Sequence, residues 1–304
     1  MGVGVQELIF LHYVHKFGDF KKTVTIGRMG LFINSYQLKK LTLASKELGD
    51  EIFADRILKD YFGATVVDSI DKSDYEGATI IHDMNLPIPD GLREKYDTVF
   101  ESGTLEHIYN MPQALENSSS LCRPGGQIVH ILPANNSCGH GFWQVSPELF
   151  YSLYSDKNGY RDTDVYLARM NPNKHDFYRV LRPENGKRIH IYSRDEIYAF
   201  VRTVRKEGKF SHNDVQQSDY VHLWNSADIR EQDNSSPLIK FIKNHESVYN
   251  LAHKALGKAI YDAYLGFTNR SKNSLSDSNP NLVKVDISIP SSDMERQRYC
   301  SYNS

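Results

Sequence analysis

Short β-branched and aromatic runs alternate with helix-spaced segments through the first half of the chain. Residues 5–17 (VQELIFLHYVHKF) have mixed helical spacing and read as a leading helix that packs on a sheet. Thr23-Val24-Thr25-Ile26-Gly27 is a β-branched run stopped by glycine, the pattern of a buried strand. After a turn at Arg28-Met29-Gly30, residues 35–48 read as a helix. Residues 51–61 read as another, with Ile52, Phe53, Ile57 and Leu58 as its apolar positions. Strands are expected at 63–71, 78–83, Asp97–Phe100 and Gln127–Leu132, with a helix over Met111–Leu121 between the last two. This alternation predicts an α/β fold: a doubly wound, mainly parallel sheet with helices on both faces.

Beyond residue 145 the rhythm changes. Ser146-Pro147 has the form of a helix start, serine capping and proline at the first position. Thr163–Met170, Arg188–Tyr192 and Asp219–Leu223 read as strands, and Ser193–Arg205 as a helix. The basic run Arg202–Lys206 then falls on a solvated helix face. Residues 237–267 read as a helical region whose aromatic residues suit either a core or a homodimer contact. The resulting plan is an N-terminal helix (1–20), a core domain (21–225) with a lid or acceptor insertion at 155–190, a C-terminal helical elaboration (226–267) and a mostly flexible tail (268–304).

Composition narrows the classes. The chain has 304 residues, 40% of them hydrophobic, and a net charge of -2, which argues against a general nucleic-acid surface. Cys122, Cys138 and Cys300 are too few and too scattered for a disulfide framework or a zinc site and fit a reducing cytoplasm, the expected location. His12, His15, His175, His190, His212 and His222 show no metal-ligand spacing, so no metal is expected. The N-terminus is a poor signal peptide, and no window approaches ~18 uninterrupted apolar residues, so no membrane span is expected. A phosphate loop of the G-x-x-x-x-G-K-[ST] form is missing, which disfavours an NTPase.

The chemistry concentrates between Lys95 and Tyr151. YDTVFESGTLEHI is a hydrophobic strand ending in a carboxylate and an imidazole, and LCRPGGQIVHILP is a Pro-Gly-Gly turn feeding a second strand. HGFWQVSPELF follows. In open α/β sheets ligands bind outside the carboxyl ends of the strands, where these segments stop. With them, residues 22–151 resemble the class I S-adenosylmethionine-dependent methyltransferases of small-molecule type. The three segments look like the fourth-strand motif, the turn before the fifth strand and the acceptor region that follows it. The resemblance implies a Rossmann-like sheet, S-adenosylmethionine as cofactor and S-adenosylhomocysteine as product. It also implies methyl transfer to an oxygen, or a nitrogen, of a small-molecule or glycan-type acceptor.

Site roles follow from that resemblance. A strand-end carboxylate holds a ribose diol well; Asp71 is the first choice and Asp68 the second, the alternative being that both only cap turns. Asp83 is placed to accept from the adenine amine, with Met84 as an apolar cover. The glycine-rich first motif is degenerate: Gly27 supplies the tight turn, but Arg28 either pairs with the cofactor carboxylate or fills the pocket. That departure keeps a catalytically inactive binding or scaffold relative as one alternative. A nicotinamide-dependent oxidoreductase, the other, would need a fuller G-x-G-x-x-G turn. Glu101, Ser102 and Gly103 are expected to border the cofactor, Glu101 facing its amino group. Glu106 and His107 follow on a first helical turn, where they either organise the pocket or act on the acceptor, with His107 the weaker candidate. His140, flanked by glycines, is the candidate base. Phe142 and Trp143 would wall the acceptor pocket and Gln144 would orient a hydroxyl; the alternative is a tight turn with Trp143 in the core.

Overall fold

In the computed structural model the described residues are 2–34, 36–38, 51–171, 175–208, 210–213, 215–226 and 274–287. The chain opens with β1 (Gly2–Val3), α1 (Val5–His15), β2 (Lys21–Ile26) and β3 (Gly30–Leu31). Next come α2 (Asp55–Phe62), β4 (Ala64–Asp71), β5 (Ile80–Ile81), β6 (Tyr96–Ser102), α3 (Met111–Leu121) and β7 (Cys122–Asn135). The second half contributes α4 (Pro147–Leu153), β8 (Tyr160–Arg169), β9 (Phe177–Val180), β10 (Ile197–Arg205), α5 (Ser218–Asn225) and β11 (Leu282–Val285). The helices expected over 35–48 and 237–267 lie outside the described residues, apart from 36–38, which are helical.

One nine-stranded sheet carries the fold, in the order β11-β9-β8-β10-β7-β6-β2-β4-β5. Strands β5, β4, β2, β6 and β7 run parallel, and the order turns back at β2: β4 lies on one side of it and β6 on the other. That reversal is the switch point at which doubly wound sheets open a crevice. Strand β10 is inserted antiparallel between β7 and β8, which makes the sheet mixed. The Rossmann-like expectation holds for the parallel half, and the antiparallel half is an extension of it.

Several expectations are corrected. Ser193–Arg205 is not a helix: Ile197–Arg205 is β10, buried along nearly its whole length. Its apolar residues Ile197, Phe200, Val201 and Val204 fit helical spacing as well as they fit a doubly covered strand, and periodicity alone does not separate the two. Consequently Arg202 and Arg205 are buried, not solvated. Arg202 lies over the Phe17 ring and bonds Gln127 Oε1 at 3.1 Å; Arg205 pairs with Glu94 at 2.8 Å. Asp219–Leu223 falls inside helix α5, and Arg188–Tyr192 forms no strand beyond a single bridge at Tyr192. Residues 155–190, expected to hold a lid or acceptor insertion, include strands β8 and β9.

Among the described residues, those within 2–180, 194–215 and 284–287 make one compact unit, and those within 181–193, 216–226 and 274–283 make a second. In the first, α1 is buried almost all round, as a helix without a polar face must be. Phe10 meets Tyr166, Phe177 and Phe200 with ring centroids 5.7, 6.3 and 5.3 Å away, joining α1 to β8, β9 and β10. In the second, Arg188 pairs with Asp219 at the start of α5 and lies over the Tyr220 ring. Among the described residues no helix is long and apolar enough to cross a membrane.

Candidate active site

The sheet register fixes which residues share the carboxyl edge. Ile26 lies level with Ile70 and Glu101, Asp71 with Ile81, and Ser102 with Ile131. Gly27, Asp71, His82 and Ser102 therefore leave their strands side by side at the switch point.

Gly27 takes a left-handed φ of 85°, which turns the chain sharply out of β2. Its amide donates to Ile70 O at 2.7 Å, and the next amide, that of Arg28, donates to Asp71 Oδ2 at 3.3 Å. Asp71 also accepts from Lys72 N at 2.7 Å. Each Asp71 oxygen keeps lone-pair capacity for a further donor. Asp68, three residues earlier, lies within the strand and accepts from the Tyr96 hydroxyl at 2.8 Å, so of the two aspartates only Asp71 stands at the edge. Asp83 accepts from Asn85 N at 2.9 Å and Asn85 Nδ2 at 2.7 Å and pairs with Lys72 at 3.1 Å. The Asn85 amides first, and Lys72 after them, hold its carboxyl down at about 2. Met84 is buried beside it, tied through its carbonyl to Asn117 Nδ2 at 3.1 Å.

Arg28 is engaged within the chain itself. Its guanidinium lies over Phe53, 4.4 Å from the ring centre, and bonds Asp55 at 3.1 Å. The chain then continues into β3, which pairs with the N-terminal β1, not into a phosphate-type loop. A strand-end aspartate, a second loop aspartate with an apolar neighbour and a left-handed glycine turn fit the nucleoside half of S-adenosylmethionine.

Glu101 and Ser102 are both buried at the end of β6. Glu101 is wholly buried and turns back on its own chain: Thr104 N and Leu105 N donate to Oε2 and Ile131 N to Oε1, at 3.2, 3.4 and 3.2 Å. Three backbone donors make this carboxylate an anchor for the β6 turn. Ser102 donates to Gly2 O at 2.8 Å, which pins the N-terminal strand over the end of β6. Gly103, partly exposed with φ 75°, is the only one of the three left at the surface.

Glu106 and His107 sit on a single 3-10 turn, Leu105–His107, ahead of α3. The loop after β7 is brought onto that turn: Phe142 N donates to Glu106 O at 2.7 Å, and Trp143 Nε1 donates to Ile108 O at 3.0 Å. Gly141, with φ 67°, makes the approach possible, because a Cβ there would meet Glu106 Cγ and O at 2.8 Å. His140 Nε2 thereby lies 3.4 Å from Glu106 Oε1, and His107 Nε2 4.0 Å from the same oxygen. The two imidazoles are 5.1 Å apart, centre to centre. Glu106 has no exposed surface, and among the described residues neither carboxylate oxygen has a hydrogen-bond partner. Burial, and then the neighbouring Glu101 carboxylate, push it up to about 8. Burial, and then the neighbouring His140, lower His107.

Phe142 and Trp143 stay exposed beside this cluster, with Tyr109 edge-on to Phe142 at 6.4 Å. Gln144 is spent on the loop, accepting from Ser137 N at 3.0 Å. The convergence of Glu106 with two histidines was not legible from spacing, since His140 is brought across by a loop fold. The Gly-His-Gly triplet was its one signal. A cavity of about 990 Å³, lined by Lys21, Asp97, Gln127 and Arg202 among others, opens at the amino ends of the parallel strands. Its arginines 123, 161 and 179 are each paired with an aspartate, and it lies at the end of the sheet opposite this site.

A protein family described as "Methyltransferase domain" matches residues 48–204. Among solved structures, a SAM-dependent methyltransferase of Thermotoga maritima, described as a possible histamine N-methyltransferase, is 13% identical with a TM-score of 0.37, covering 66% of this chain and 92% of that one. The 1,6-didemethyltoxoflavin-N1-methyltransferase of Burkholderia thailandensis, solved with its substrate and S-adenosylhomocysteine, is 11% identical with a TM-score of 0.38, covering 67% and 79%. No curated protein matches the sequence.

Proposed function

Since this chain belongs to the methyltransferase-domain family and is a class I S-adenosylmethionine-dependent methyltransferase, we propose that it methylates an oxygen of a small-molecule or glycan-type acceptor. The cofactor, when bound, supplies an electrophilic methyl group on a positive sulfur. Asp71 would accept from the ribose hydroxyls and Asp83 from the adenine amine, with Met84 beneath the ring and the Gly27 turn allowing close backbone approach. Glu106, His107 and His140 would face the acceptor, with Phe142 and Trp143 along its apolar side.

The observation that carries this reading is the convergence of Glu106, His107 and His140 at the carboxyl ends of β6 and β7, on the same sheet edge as Gly27 and Asp71. A neutral imidazole within reach of an acceptor hydroxyl can take its proton as the methyl group moves. Alignment of the two reactants contributes independently of any base. An oxygen acceptor suits the cluster better than an amine, because a hydroxyl must lose a proton that neutral imidazole can hold.

Calorimetry with S-adenosylhomocysteine tests the cofactor half. Asp71→Ala should weaken binding by about tenfold or more, the worth of a charge-assisted hydrogen-bond pair; unchanged affinity removes Asp71 from the site. Turnover of labelled S-adenosylmethionine with hydroxylated acceptors tests the other half. His140→Ala should spare cofactor binding and slow transfer, whereas equal loss of both would assign His140 a folding role.

A further inference from the structure

We propose that Glu106, His107 and His140 form a binding site for one divalent first-row transition-metal ion. Glu106 is completely buried, and among the described residues neither of its oxygens has a hydrogen-bond partner. A carboxylate removed from water without donors is costly and is made tolerable by a proton or by a cation. The neighbouring Glu101 cannot help, because it is itself acidic and already holds three backbone amides.

Two imidazole nitrogens converge on the same carboxylate. One atom from each of the three side chains lies within 4.8 Å of the others, with His140 Nε2 at 3.4 Å and His107 Nε2 at 4.0 Å from Glu106 Oε1. Ligand atoms held at about 2.0–2.2 Å around one ion stand roughly 3–3.5 Å apart. The site is therefore open by no more than about 2 Å on its histidine side. Both histidine side chains are 47% exposed, so they can close that gap by small rotations while the buried carboxylate stays in place.

The donor set selects the ion. Two imidazoles and one carboxylate suit zinc, iron, cobalt or nickel, whereas magnesium and calcium prefer sites made of oxygen. Three protein ligands leave coordination positions for other donors, the arrangement of a working site and not of a closed structural one. The ligand class for those positions is an oxygen donor, such as a hydroxyl pair on the acceptor. This last step rests on the methyl-transfer reading; the metal site itself rests only on the cluster. With a metal in place, His140 is a ligand, and an acceptor hydroxyl bound to the ion would lose its proton to solvent.

Cobalt(II) titration of the full-length, untagged protein provides the test, followed by visible absorption and competed with zinc(II). A saturable site at one ion per chain, with d–d bands abolished by zinc and unaffected by magnesium, is expected. His107→Ala and His140→Ala should each weaken cobalt binding by about tenfold or more. Both residues are half exposed, so the fold should survive, and a circular dichroism melt checks that it does. His212→Ala, at an exposed histidine paired with Glu116, should leave cobalt binding unchanged. No saturable cobalt binding, or binding indifferent to both His107→Ala and His140→Ala, would overturn the site. Calorimetry with S-adenosylhomocysteine on the same samples separates the two readings. Homocysteine-nucleoside binding without cobalt binding sinks the metal site alone; cobalt binding lost in His140→Ala, in a protein that ignores the nucleoside, upholds the metal site and sinks the cofactor assignment.

Discussion

Gly141 shows how one residue can decide a site. A side chain at position 141 would be in a left-handed conformation and would also strike Glu106 at 2.8 Å, while Gly139, with φ 94°, has nothing within 4 Å of its missing Cβ. Gly141→Ala should therefore lower the melting temperature more than Gly139→Ala, which carries only the backbone cost of roughly 1–2 kcal/mol; equal effects would show that the contact with Glu106 is soft. Asp83 offers a second residue-scale check. Its carboxyl is lowered from 3.8 to about 2, so the stability it contributes is present above its unfolded value and lost as pH falls through about 2. In Asn85→Ala, carbon-13 NMR should find the Asp83 titration moved part of the way upward, because the side-chain amide donor is lost while the backbone amide of residue 85 remains. Thiol chemistry gives a third. Burial pushes Cys122 up to about 12, whereas Cys138 is exposed, so a thiol reagent at neutral pH should label Cys138 and spare Cys122 until the protein unfolds, as peptide mapping would reveal.

At the scale of elements, α4 and β10 make contrasting cases. Helix α4 starts as its sequence says: Ser146 Oγ accepts from Glu148 N at 3.3 Å and Pro147 fills the first position. Ser146→Ala should cost about 1 kcal/mol in urea unfolding, the usual worth of a cap. The helix also supplies Phe150, stacked 6.0 Å from buried His130, so its loss would be felt behind the site at β7. Strand β10 has apolar residues that suit either a helix or a buried strand. Its partners β7 and β8 on either side decide the matter, because nearly every position is covered. The same pairing is what buries Arg202 and Arg205, which composition alone would put in water.

At the scale of the molecule, α1 bridges the antiparallel half of the sheet. Phe10 is fully buried against aromatic rings from β8, β9 and β10. Phe10→Ala should destabilise the first unit by about 3–5 kcal/mol, seen as a lower urea midpoint with an unchanged slope. A much smaller loss would mean that the helix is not part of the cooperative core. The N-terminus reaches the site as well, through Ser102 Oγ and Gly2 O, so helix packing and site geometry belong to one structure.

By itself the sequence determined the parallel half of the sheet, the α3 helix over Met111–Leu121, the Ser146 cap and the strand-end position of Asp71. Each of these is local: a β-branched run, a helical period, a capping residue or a turn leaves its mark within a few neighbours. Only the tertiary structure decided that Glu101 folds inward onto three amides, that Arg28 pairs with Asp55, and that residues 197–205 form a strand. It alone decided that His140 crosses to a buried, unpartnered Glu106. Those outcomes depend on which groups meet after the chain has doubled back, and the free energy of a buried charge is set by those meetings.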